Sequence, residues 1–113
     1  MRALAIAAVA TVIAATICPA RSQDIPDLNV EPVCRGIAQQ AASPAEKGDV
    51  DLAYSQCLNS EQAMRHKLVN EWSTFAPAQR SNCIDAELAG MASYTDLVSC
   101  LEMARDAANM NLQ

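Results

Sequence analysis

The sequence predicts an all-α fold: a small four-helix domain made of two disulfide-stapled helical hairpins. Three observations predict it. Apolar residues recur at spacings of three and four along most of the chain, with no alternating strand pattern and no internal repeat. Proline, glycine and Ser-x-x-acid signals cut that periodic stretch into four segments. Four cysteines sit on the apolar faces, and each consecutive pair brackets a turn.

The 113-residue chain opens on a leader. Arg2 supplies a positive charge, Ala3 to Ile17 is apolar or small and uncharged, and Pro19 precedes the small-x-small triplet Ala20-Arg21-Ser22. Residues 1–22 therefore read as a secretory signal peptide, cut after Ser22 or alternatively after Ala20. The apolar run is shorter than the roughly 20 residues a membrane span needs, so no stable anchor is expected after cleavage. Ile17 stands where a lipid-modified cysteine at position 18 would want Gly, Ala or Ser, which argues against a lipoprotein.

Cleavage changes the charge and the cysteine count. The full sequence holds 8 basic and 13 acidic residues, net −5. Arg2 and Arg21 leave with the leader, so six basic residues face thirteen acidic ones and the net charge becomes −7. Such a chain has no electrostatic reason to bind nucleic acid or an anionic lipid surface. Its charge serves solubility and suits a cationic envelope protein as partner. Cys18 also leaves, and Cys34, Cys57, Cys83 and Cys100 remain. In a periplasmic or secreted protein, four cysteines read as two disulfides.

Residues 23–30 (QDIPDLNV) show no periodicity and read as a flexible, extended N-terminal arm. The helical domain spans 31–110. Glu31-Pro32 starts the first helix, with Pro32 at its first position and Val33, Cys34, Ile37 and Ala41 on one side, ending near Ala42. Ser43-Pro44-Ala45-Glu46 has capping-box spacing, and Asp49 is a candidate cap for the next helix. From Val50 to about Thr74, Tyr54, Cys57, Leu58, Met64, Leu68, Trp72 and Phe75 form one stripe. Glu61 lies on that stripe, four residues ahead of Arg65 in the favourable acid-before-base order. The third helix runs from about Pro77 to Leu88, with Gly90 as its C-terminal cap. Ser93-Tyr94-Thr95-Asp96 is a second capping box, opening a helix to about Asn109 with Leu97, Cys100, Leu101, Ala104 and Ala108 on one face.

Four cysteines allow three pairings. In an antiparallel hairpin, residues equidistant from the turn face each other. Cys34 and Cys57 straddle the Ser43–Gly48 turn symmetrically, and Cys83 and Cys100 straddle Gly90–Ser93. The expected pairing is Cys34–Cys57 and Cys83–Cys100, one staple per hairpin, with both hairpins packed on a shared apolar core. Each closed loop should contribute about 3 kcal/mol on the chain-entropy argument.

Catalytic and metal signatures are thin. The cysteines contain no C-x-x-C, and His66 is the only histidine, so neither zinc nor haem is expected. Met64, Met91, Met103 and Met110 are not clustered in sequence and read as ordinary filler rather than copper ligands. No nucleophile elbow occurs. The chain is therefore expected not to be an enzyme and to need no cofactor. Candidate binding residues are Glu61 with Arg65, and Trp72 with Phe75. Glu61 either pairs with Arg65 or faces a ligand. The two aromatics either anchor the core or, if exposed, form a partner patch.

The run Gln56-Cys57-Leu58, Glu61-Gln62-Ala63, Arg65, Leu68, Trp72, Phe75, Arg80, Cys83, Ser93-Tyr94, Leu97 and Cys100-Leu101 resembles a family of small secreted proteins of Gram-negative bacteria. The resemblance covers Cys34 to about Ala107. It implies export and the four-cysteine pattern, and it implies no activity. The chain is more loosely similar to the LprI-like lysozyme inhibitors, small secreted helical proteins with a tryptophan ahead of a cysteine. It departs from them in the longer Trp72-to-Cys83 spacing and in lacking an arginine-aspartate pair before the cysteine. The function expected on these grounds is a non-enzymatic inhibitor or adaptor of the cell envelope. The alternative is a periplasmic metal or small-ligand carrier using His66, the methionines or Glu61.

Overall fold

A computed structural model describes residues 24–41 and 47–112. The leader and the Ser43–Glu46 capping box lie outside them. Among the described residues the fold is all-α, with helices α1 (Glu31–Ala41), α2 (Lys47–Glu71), α3 (Pro77–Leu88) and α4 (Tyr94–Met110). A single 3₁₀ turn, Trp72–Thr74, follows α2. The disulfides are Cys34–Cys57 and Cys83–Cys100, with Cα–Cα separations of 5.4 and 5.8 Å. Each joins the two helices of one hairpin, so the expected fold class and pairing both hold.

The helix starts follow local chemistry. At α3, Pro77 fits the first turn because it has no N–H to leave unsatisfied. There the Ala76 N–H donates to Gln79 Oε1 at 3.0 Å, the backward half of a capping box, since alanine cannot supply the other half. At α4, Ser93 is extended (φ −146°, ψ 133°) and its Oγ accepts from the Asp96 N–H at 3.3 Å. Three expectations at helix ends are corrected. α2 begins at Lys47, so Asp49 lies inside the first turn, where its charge favours the helix dipole's positive end without capping the helix. The Ser93 N–H goes to Glu87 Oε2 at 3.2 Å, not to Asp96, so that capping box is also half-formed. Gly90 has no positive φ, and the C-cap of α3 is Ala89 in a right-handed conformation.

Both hairpins contribute to one buried core, the first through α2 and not through α1. Leu28, Leu68, Trp72, Phe75, Cys83, Tyr94, Leu97, Val98 and Leu101 make one buried cluster. It is built from the second half of α2, from α4 and from α3. Helix α1 lies against α2 and no other helix, and its buried Cys34 and Ala38 fall outside the cluster. The reason is length. At 25 residues, about 37 Å long, α2 extends well past α3 and α4, and α1 covers the overhang.

Residues 24–30 are non-helical, as expected, but they are not a free arm. Leu28 is 6% exposed, and Ile25 and Val30 pack against the cluster. The Tyr94 hydroxyl accepts from the Leu28 N–H at 3.0 Å and donates to the Pro26 carbonyl at 2.9 Å. Three apolar residues in eight were enough to fold the segment down once a phenol satisfied its backbone. Tyr94→Phe should therefore cost about 1–2 kcal/mol and speed amide exchange at Leu28. Unchanged protection of that amide would contradict the clamp.

Candidate binding site

Glu61 is the residue around which the site is built. Its place on the apolar stripe of α2, between Cys57 and Met64, turns it inward, and it is only 5% exposed. It meets the N-terminus of α4 there. Glu61 Oε1 accepts from Ser93 Oγ at 3.0 Å and Thr95 Oγ1 at 2.5 Å, and Oε2 accepts from the Tyr94 N–H at 2.6 Å. Three donors and the positive end of a helix dipole hold one carboxylate from outside its own helix. The expected Glu61–Arg65 ion pair is not formed among the described residues, and Arg65 is exposed. A pairing four residues apart lost to a helix terminus because the terminus offers three donors with burial.

Glu61 and Tyr94 border a groove of about 450 Å³ between the 24–30 segment and α2. Its other lining residues are Asp27, Leu28, Val30, Leu58, Gln62 and Arg65. The groove thus joins two of the four candidate binding residues, Glu61 and Arg65. The other two are elsewhere: Trp72 and Phe75 are 9% and 2% exposed and belong to the core. His66 is exposed on α2, as are Met91, Met103 and Met110 on other elements, while Met64 packs against the core. Among the described residues no group of three or more His, Cys, Asp or Glu is placed to hold a metal ion.

Four basic side chains contact the protein itself, whereas Arg65 is exposed and in no ion pair among the described residues. Arg35 lies over Tyr54 (5.8 Å to the ring centroid), Arg80 over Trp72 (5.5 Å) and Arg105 over Phe75 (4.8 Å). Arg80 is buried to 8% exposure, and its Nε has no hydrogen-bond partner among the described residues. The Trp72 ring face is what faces its charge, a contact worth about 2 kcal/mol when desolvated. Lys67 donates to Glu102 at 2.5 Å, and that bond holds its ammonium above the usual lysine range. Sequence reasoning gave these arginines no role. Their one signal was that three of the four aromatics have an arginine within reach, which no spacing rule encodes.

Burial raises the Glu87 carboxyl above its ordinary value of 4.5. Like charge on Asp96 and Glu61 adds to that, and the hydrogen bond from the Ser93 N–H opposes it. The folded state therefore keeps this proton after the unfolded state has lost it, so stability falls as pH rises from 4.5 through the raised value and is then level. Glu87→Gln keeps an acceptor for Ser93 and removes the charge. We expect it to be the more stable protein at pH 7 and to lack that fall in thermal melts across pH 4–7. A variant that melts below the wild type at pH 7 would sink this assignment.

Fold and site together define an all-α protein with two helix–helix disulfides, the mark of an oxidising compartment outside the cytoplasm. No described helix is long and apolar enough to cross a membrane. The chain matches no protein-family model, no curated protein and no solved structure.

Proposed function

We propose that this is a non-catalytic binding protein of the periplasm or cell exterior, an inhibitor or adaptor whose acidic surface meets a cationic envelope protein. The supporting observation is the sorting of charge. Arg35, Arg80 and Arg105 lie over rings and Lys67 is engaged by Glu102. Asp24, Asp27, Asp49, Asp51, Asp85, Asp96 and Asp106 are exposed and form no ion pair among the described residues. These seven exposed aspartates outnumber the exposed basic residues, Arg35, Arg65 and His66, so the described surface carries net negative charge. A basic partner is steered onto such a surface, and salt weakens the steering.

A c-type lysozyme is the probe, because it is a small cationic hydrolase that acts on the cell envelope. Stopped-flow association should slow by about tenfold or more between low and physiological salt. Absence of binding, or a salt-independent rate, overturns the proposal. A second reading, a small-ligand carrier, is favoured by the groove of about 450 Å³ beside Tyr94. Native mass spectrometry of untagged, exported protein decides it: a retained small molecule supports the carrier, and a bare mass rejects it.

A further inference from the structure

We infer that the α3–α4 turn is the part of the surface that enters a partner, an apolar tip with a carboxylate rim fitted to an apolar cleft on a basic protein. The inference rests on the reading of the chain as a binder of cationic proteins and names its contact surface. Leu88 and Met91 are 66% and 64% exposed, two large apolar side chains three residues apart at one end of a hairpin. Among the described residues neither packs on the buried cluster. Their neighbours are fixed. The Glu87 carboxylate accepts from the Ser93 N–H at 3.2 Å, closing the neck of the turn. The Ala89 N–H donates to the Asp85 carbonyl and the Gly90 N–H to the Glu87 carbonyl, each at 3.2 Å.

Behind the neck, Ser93 is tied to Glu61, Ala92 packs on the core, and Cys83–Cys100 joins the two helices. A tip held this way loses little freedom on docking, which is where binding energy is otherwise spent. The rim supplies the sign of the partner. Asp85 lies one turn back on the face of Leu88, and Glu87 and Asp96 flank the neck. No basic residue occurs from Asn82 to Cys100, so the charge that the turn's own segment carries is acidic. A cation-rimmed apolar cleft complements both features; a cationic surface without a cleft would leave Leu88 and Met91 in water.

The test uses the exported full chain with c-type lysozyme as probe. Leu88→Ser with Met91→Ser should weaken binding by about tenfold or more, mainly through faster dissociation, at unchanged melting temperature. Asp85→Asn should slow association and reduce its salt dependence. Leu52→Ser, which removes another exposed leucine (57%) from α2, should bind as the wild type does. If the wild type binds and the Leu88/Met91 variant binds equally well, the turn is not the contact surface, and the binding reading stands without it. If Leu52→Ser loses as much as the double variant, the effect is general and the inference is also overturned. If the wild type leaves lysozyme unbound, both fall together.

Discussion

Replacing Cys83 and Cys100 together by alanine should lower the unfolding free energy by about 2–5 kcal/mol and the melting temperature by roughly 10–20 °C. The same change at Cys34 and Cys57 should act differently. Loop lengths do not separate the two bonds. Their sequence separations are 17 and 23 residues, and chain entropy makes that difference worth only about 0.3 kcal/mol. Packing separates them. Cys83 belongs to the main buried cluster and Cys100 packs against it, so losing the two sulfurs also removes packing from that cluster.

Cys34 is equally buried, but only where α1, to which it belongs, lies against α2. Helix α1 has 11 residues, below the length at which an isolated helix persists in water, and it buries only Cys34 and Ala38. Without Cys34–Cys57 it should unwind while the rest of the domain stays folded. Far-ultraviolet helicity would then fall by about one short helix, and the near-ultraviolet signal of Trp72 would persist. In the Cys83/Cys100 variant both signals should weaken in one transition. Matching losses in the two variants would mean that the hairpins fold as one unit after all.

The parts of this fold legible in the sequence are those set by local rules. Pro77 and Leu88 bound α3 as periodicity and proline chemistry predict, and Ser93 caps α4. The cysteine pairing was legible because two hairpin turns and four apolar-face positions had to agree. Contacts between distant segments were not. Nothing local ties Tyr94 to Pro26 and Leu28, 68 and 66 residues away. The asymmetry of the core was hidden for a related reason: spacing shows that α1 has an apolar side but not which stretch of α2 receives it. At the site, the sequence put Glu61 on an apolar stripe without deciding between burial and exposure, and the structure buries it. Its partners were out of reach of that argument, because the nearest cation in sequence, Arg65, was the wrong one.

Glu61→Ala should cost about 3 kcal/mol, as much as truncating a large core side chain. The carboxylate is buried with no cation beside it among the described residues, so its stability depends on the three donors it accepts from. Hydrogen bonds to a charged group contribute about 1.5–3 kcal/mol each, and burying the ion offsets several kcal/mol of that sum. Truncation also strands the partners, and here the donors differ. The hydroxyls of Ser93 and Thr95 can rotate towards other acceptors. The Tyr94 N–H is fixed by the helix and would be left buried and unpaired. Glu61→Gln should therefore recover more than half of the loss. Its amide oxygen can serve Tyr94, while its NH₂ donates to a rotated hydroxyl of Thr95. Because Tyr94 also clamps Leu28, exchange at the Leu28 and Tyr94 amides should quicken in Glu61→Ala and much less in Glu61→Gln. An alanine variant within about 0.5 kcal/mol of the wild type, or a glutamine variant as damaged as the alanine one, would show that charge or simple packing, rather than the fixed N–H of Tyr94, is what Glu61 supplies.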